Sequence, residues 1–268
     1  MKHVTFIVLF SLLPLFPVLA STPTVDRHVA ATRIEGEVPR IDGYLDDEIW
    51  QRIPAVVDFV QYEPIEGAAP SEETRVQIAY DQEALYIAVR CLDQSAADIV
   101  SRLVRRDAES EVDWVKISLD PHLDRQTGRF FGVYASGSVA DGIYANDRDE
   151  DDTWNGVWQV KTRIDANGWV AEFRIPYYVL RFSPREEYVW GLNIERYISR
   201  KREHLHWNLM AKGEPRPCFA VWLSRGHPRH RSTAASRIHA LCHGPGHRRW
   251  RKRLFCQRRC RYPLRHYV

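Results

Sequence analysis

The chain has 268 residues, of which 44% are hydrophobic and 12% aromatic, enough for one sizeable all-β domain or two small ones. That composition excludes a chain too polar to bury a core. The net charge of +3 hides a divided chain: every Asp and Glu lies between Asp26 and Glu214, whereas residues 216–268 carry thirteen Arg, one Lys and six His and no acid. The body is therefore about −12 and the tail about +14, a divide that no single folded domain needs.

Lys2 and His3, an apolar run over 4–13 and the small-residue pattern Val18-Leu19-Ala20 read as a secretory signal peptide, 1–20, cut after Ala20. The alternative is an uncleaved anchor helix, but Pro14 and Pro17 break the run and it is short for a span. The expected destination is export, to the periplasm, the outer membrane or the exterior. Residues 21–33 read as a flexible polar lead-in, 34–214 as the folded body, and 215–268 as a separate tail. Cys91, in an apolar stretch, reads as a buried free thiol. The other four cysteines, Cys218, Cys242, Cys256 and Cys260, fall in the tail, so the body has no disulfide framework.

The elements follow in order. Asp42-Gly43 is a turn pair, and Asp46 or Asp47 can cap a short helix that buries Ile49 and Trp50. A strand is expected over 56–62, then a Gly/Ala/Pro loop. Strands over 75–80 and 84–92, joined by Asp81-Gln82-Glu83, form a hairpin. Residues 96–103 suit a two-turn helix. The stretch 107–121 has an acidic rim, then an alternating strand with Val115, Ile117 and Leu119 on one face and Trp114, Lys116 and Ser118 on the other, then an Asp-Pro stop. Strands over 130–134 and 139–144 flank Ser136-Gly137, and 146–153 is a dense acidic loop. Strands over 158–164 and 169–175 flank Asn167-Gly168, the strongest short hairpin signal, in which both residues reach positive φ. Strands over 189–198 and 205–209 complete the set. About ten short strands at regular spacing predict an all-β fold, an immunoglobulin-like or jelly-roll-type β-sandwich of antiparallel strands with an irregular C-terminal tail. The missing long helices argue against a nucleotide-binding fold.

Five phrases carry a resemblance: I-D-G-Y-L-D-D-E-I-W at 41–50, Y-D-x-x-A-L-Y-I-A-V at 80–89, D-W-V-K-I-S-L-D-P at 113–121, W-V-A-E-F-R-I-P at 169–176 and W-G-L-N-I-E-R at 190–196. In this order and spacing, residues 34–214 resemble carbohydrate-binding modules of family 9, such as those at the amino terminus of bacterial outer-membrane β-barrel proteins. The resemblance implies a β-sandwich that binds a poly- or oligosaccharide, often with structural calcium, as a neighbour of glycoside hydrolases in carbohydrate catabolism. It implies a sugar clamped between two Trp rings, with carboxylate and amide groups on its hydroxyls. The chain departs from that pattern. The first clamp position falls near Ser110, the acidic position of the next strand holds Lys116, and the second clamp position, beyond Trp207, meets Met210 and Gly213. Trp114, Lys116, Trp154, Trp158 and Trp207 are the candidate sugar-binding residues, each Trp weighed against an ordinary packing role.

Asn146, Asp147, Asp149, Asp151 and Asp152 offer hard oxygen ligands suited to calcium, set against a solvated acidic loop. Asp42, Asp46 and Glu48 are a second candidate, with Asp46 read more simply as a helix cap. No catalytic residues are assigned. Glycoside hydrolysis needs two facing carboxyls; Glu172 and Glu195 can be nominated, although Glu172 reads as solvent-facing. If the chain is an enzyme, a hydrolase of O-glycosyl compounds is the expectation. No serine-hydrolase, zinc-protease or phosphate-loop motif occurs.

The tail admits three readings. Its basic, acid-free run has the electrostatic signature of nucleic-acid binding, and Cys256-x-x-x-Cys260 with Cys242 and His243 suggests zinc, although the spacings fit no common finger. The third is out-of-frame translation. Residues 216–222 can be encoded so that a +1 shift reads Gly-Arg-Val-Ser-Arg-Phe-Gly, and 230–243 so that the same frame reads Ile-Asp-Pro-Pro-Arg-Arg-Leu-Glu-Phe-Met-Pro-Tyr-Val. The frameshift reading is preferred, with no nucleic-acid partner. The whole then reads as an exported sugar-binding module truncated from a larger outer-membrane protein, with a β-barrel normally fused downstream. The alternatives are a periplasmic scaffold or plug that serves such a barrel without binding sugar, and a fragment of a glycoside hydrolase.

Overall fold

The computed structural model describes residues 27, 29–124, 126–145, 149–183, 187–209 and 221–224. The signal segment 1–20 and almost all of the tail lie outside the described residues. The fold is a β-sandwich. A five-stranded sheet has the order β1 (Thr32–Arg33), β3 (Thr74–Tyr80), β4 (Ala84–Leu92), β10 (Gly168–Pro176) and β9 (Gln159–Asp165). An eight-stranded sheet runs β2 (Val60–Glu63), β12 (Glu203–His206), β11 (Glu187–Ile198), β5 (Trp114–Asp120), β6 (Gly128–Tyr134), β7 (Val139–Ala145) and β8 (Asp149–Asp151), with β13 (Val221–Ser224) also paired to β11. The named strand pairs are antiparallel except β1 with β3. Among the described residues no helix is long and apolar enough to cross a membrane.

Alternation along β5 sets the layers. Val115, Ile117 and Leu119 are buried in the main core with Phe131 and Val133 of β6 and Leu192 and Ile194 of β11. Across from them lie Val76 and Ile78 of β3, Leu85, Ile87 and Val89 of β4, and Phe173 and Ile175 of β10. Each such side chain taken fully out of water contributes roughly 1.5–3 kcal/mol. The Asp120-Pro121 stop acts through the Asp120 carboxylate, which accepts the amides of His122 and Leu123 and turns the chain. Cys91 is a free, buried thiol in β4, and burial pushes it up to about 11.

Part of the outer face of the five-stranded sheet is also covered. The short helix α1 (Glu48–Arg52) buries Ile49 and Trp50, which pack with Ile53 on Ala79, Ala84, Tyr86 and Ala88. This overturns the solvent-facing expectation for Glu172, which is 0% exposed. Its carboxylate accepts hydrogen bonds from Trp50 Nε1 at 2.9 Å and from the Asp42 and Gly43 amides at 3.1 Å. The 41–50 segment lies over the strand, which the alternation of β10 alone does not reveal. Asp47, not Asp46, occupies the N-cap position, and it makes no side-chain cap bond to the helix.

Other expectations shift. The hairpin joining β9 to β10 forms, but positive φ in that turn falls on Gly168 alone, at 131°. The Asp165 carboxylate accepts the Asn167 amide to close it. Gly168 is required for a second reason: a Cβ there would stand 2.0 Å from the Cys91 carbonyl oxygen. Residues 96–103 form only a single 3₁₀ turn at Ala96–Asp98. The predicted strand over 56–62 narrows to β2, with Val56 making an isolated bridge to Val76. The segment read as a flexible lead-in joins the fold before residue 34: Val29 and Ala31 are core residues, and Thr32–Arg33 is β1. In the tail, the backbone of Val221–Ser224 is strand rather than irregular.

One end of the sandwich is pinned by charge. Arg196, fully buried on the inner side of β11, donates to the Glu73 and Leu92 carbonyls and to Thr74 Oγ1, tying the large sheet to β3 and β4. Beside it Arg200 bridges Asp93 and Glu72.

Candidate functional site

The outward side chains of the eight-stranded sheet form a groove of about 890 Å³. Period-two alternation dictates who lines it. On β5 these are Trp114 and Lys116; register sets Trp114 between Tyr197 and Tyr134, and Lys116 between Glu195 and Gly132. Gly132 and its neighbour Ala140 keep the floor low next to Lys116: a Cβ on Gly132 would already lie 3.3 Å from the Ala140 carbonyl oxygen. The walls are acidic, with Asp107, Glu109 and Glu111 in the approach to β5, and Glu150 and Asp152 on the opposite rim.

The rim is fixed from below. Asp107 sits at φ 58° and accepts the Asp141 amide, and the Tyr134 hydroxyl donates to the Ala108 carbonyl. The Tyr197 hydroxyl donates to Glu111 at 2.6 Å; burial, with that acceptor beside it, pushes the phenol up to about 12. Trp114 and Tyr197 are near-parallel cross-strand neighbours, ring centroids 5.8 Å apart at 23°. The two rings stack on each other and both line the groove.

Lys116 stands over the middle of the groove. Its ammonium is 3.5 Å from Glu150, 3.6 Å from Glu195, and within 6 Å of the Trp114 and Phe130 ring centres. Glu195 is nearly enclosed, and His204 Nε2 lies 3.2 Å from its carboxylate. Burial by itself would raise the Glu195 carboxyl; the Lys116 charge, the His204 hydrogen bond and the adjoining imidazoles outweigh it and hold the group well below the usual carboxylate range. The groove thus offers an aromatic surface beside a fixed cation, an anion and several acceptors.

The five predicted sugar-binding residues divide. Trp114 and Lys116 line the groove together. Trp158 lies on the other side of the sheet, stacked on Phe173 at 6.0 Å and edge-on to Phe131, with its Nε1 donating to the buried Asp141. Trp154 packs edge-on to Phe131 beneath the Arg129 guanidinium. Trp207 is 2% exposed in the core. These three rings support the fold and do not meet Trp114. Ser110 lies on the groove rim, and Met210 and Gly213 lie outside the described residues.

Of the expected calcium ligands, Asn146 and Asp147 lie outside the described residues. Asp149 and Asp151 are alternate residues of β8, and Asp151 is turned to the Thr153 amide and hydroxyl. They and Asp152 do not converge on a point, and Asp42, Asp46 and Glu48 do not either: Asp46 pairs with Arg40, and Asp42 accepts the Tyr44 amide. No calcium site is assembled among the described residues. The nominated glycosidase pair is also separated, because Glu172 and Glu195 occupy the outer faces of different sheets with the core between them.

Sequence reasoning passed over Tyr197, His204, His206 and Tyr62. The signal was present: N-I-E-R-Y at 193–197 and H-L-H at 204–206 alternate at strand period, so Glu195, Tyr197 and both histidines share one face.

No protein-family model matches the chain, and no curated relative aligns with it. Among solved structures, a proposed carbohydrate-binding protein from Bacteroides uniformis ATCC 8492 superposes with a TM-score of 0.53 at 11% identity, over 81% of this chain and 99% of that one. At that identity the likeness is one of fold, the β-sandwich expected from the sequence. A family 9 carbohydrate-binding module from Caldicellulosiruptor kristjanssonii aligns at 18% identity in complexes with cellotriose and with glucose. The TM-scores are 0.47 and 0.46, over 68% and 67% of this chain and 85% and 90% of those.

Proposed function

We propose that the protein is an exported carbohydrate-binding module whose site is the groove on the outer face of the eight-stranded sheet. The observation that carries this reading is the Trp114–Tyr197 ring pair beside Lys116 in an open groove. A pyranose has an apolar face that stacks on aromatic rings and equatorial hydroxyls that need charged or polar partners within hydrogen-bond reach. The sugar face would lie on Trp114 and Tyr197. Lys116 would donate to ring hydroxyls, and the carboxylates of the rim would accept from them.

The wider reading keeps the module as part of a larger outer-membrane protein linked to carbohydrate catabolism, its acid-free tail a product of frameshift. The abrupt loss of every Asp and Glu after Glu214 supports the frameshift. Independent resequencing that finds the original frame uninterrupted through codon 268 contradicts it.

Calorimetric titration of the full chain with xylo-oligosaccharides, cello-oligosaccharides and glucose tests the binding reading. Saturable heat with at least one of them is expected. No heat across the panel would sink sugar recognition and favour a scaffold role beside a β-barrel.

A further inference from the structure

The inner end of the groove holds a cluster that sugar stacking does not use. Glu195 of β11 faces His206 of β12 in register, and His204 lies two residues away on the same face. One ligand atom from each of the three lies within 4.8 Å of the others. The imidazole rings of His204 and His206 are 4.5 Å apart at 58°, so they converge rather than stack. Opposite them the β2–β12 ladder slips between His204 and Leu205, a bulge that skips Tyr62 and sets its ring 4.8 Å from His206 and 5.7 Å from His204. Bulges of this kind re-aim side chains at sheet edges. Here the bulge places an aromatic cover over the two imidazoles.

We propose that Glu195, His204 and His206 bind a divalent transition-metal ion of the zinc class. Two imidazole nitrogens and one carboxylate oxygen are the donor set that Zn²⁺ accepts at about 2.0–2.2 Å, and three protein ligands leave a position open. Calcium prefers six to eight oxygens and is a poor match. Tetrahedral donors at those bond lengths lie about 3.3–3.6 Å apart, so the widest pair draws closer when the ion enters. His204 Nε2 already points at the Glu195 carboxylate across 3.2 Å, so the ion replaces that hydrogen bond.

Lys116 is the competitor. Its ammonium, 3.6 Å from Glu195, must give up that carboxylate when the ion enters, and Glu150 at 3.5 Å is its alternative partner. The site and the lysine therefore oppose each other in a way that an inert packing cluster would not.

The test is Zn²⁺ and Co²⁺ titration of the full chain, followed by calorimetry and visible absorption, after alkylating accessible thiols so that tail cysteines do not bind. The wild type is expected to take up one equivalent more than a His204→Gln, His206→Gln double variant. The Co²⁺ form should show d–d absorption that the variant lacks, without thiolate charge-transfer bands. Lys116→Met should tighten binding about tenfold, as removal of one nearby cation implies. Where the double variant melts earlier than the wild type without metal, His204→Gln alone, at a half-buried position, carries the comparison. Equal stoichiometry in wild type and variants, or unchanged affinity in Lys116→Met, overturns the proposal. The readout contains no sugar, so its failure leaves the carbohydrate titration untouched, and the reverse holds too.

Discussion

At the scale of single residues, position relative to the two sheets separates tryptophans that identity cannot. Trp114, Trp154, Trp158 and Trp207 look alike in sequence, yet only the first faces the groove; the others pack on Phe131 or in the core. Glu172 makes a similar point. Burial pushes its carboxyl up to about 7, against the hydrogen bonds from Trp50, Gly43 and Asp42. An acid whose folded pKa lies above its unfolded value binds an extra proton in the folded state. Its contribution is therefore full below the ordinary carboxyl range and is lost as pH rises from about 4.5 towards 7. A displacement of this size corresponds to about 3 kcal/mol. Calorimetric melting from pH 4.5 to 8 should show a decline across that window in the wild type and a flatter profile in Glu172→Gln. Parallel profiles for the two proteins would contradict it.

At the scale of elements, alternation made β5 and both main hairpins legible, because each has one face committed to the core. What lies over the opposite face was not legible. The 41–50 segment covers one sheet and the acidic stretch walls the other, and both are contacts distant in sequence. The turn at Asn167-Gly168 was foreseen as a hairpin, but its glycine is needed for the close approach of Cys91 as much as for the bend. Gly168→Ala should destabilise by about 2–4 kcal/mol in urea unfolding, since backbone rather than a flexible side chain must move. Arg196→Leu should cost about 3–5 kcal/mol in the same assay, because it leaves the Glu73 and Leu92 carbonyls and Thr74 without their donor. A loss below about 1 kcal/mol in either variant would show that the close approach or the inter-sheet tie carries little stability.

For the whole molecule, the two sheets divide the labour. The five-stranded sheet packs its inner face in the main core and carries α1 on part of its outer face. The eight-stranded sheet presents its outer face as a groove, and the histidine pair and Tyr197 escaped notice because they become neighbours only when β11 and β12 pair. The central claim is that this face binds sugar through Trp114. It is tested most directly by titrating the wild type and Trp114→Ala in parallel with the best oligosaccharide of the panel, their melting curves matched. The expected result is saturable heat in the wild type and at least about tenfold weaker binding in the variant, as loss of one stacking ring implies. Equal affinity in the two proteins would place any sugar site elsewhere and contradict the claim.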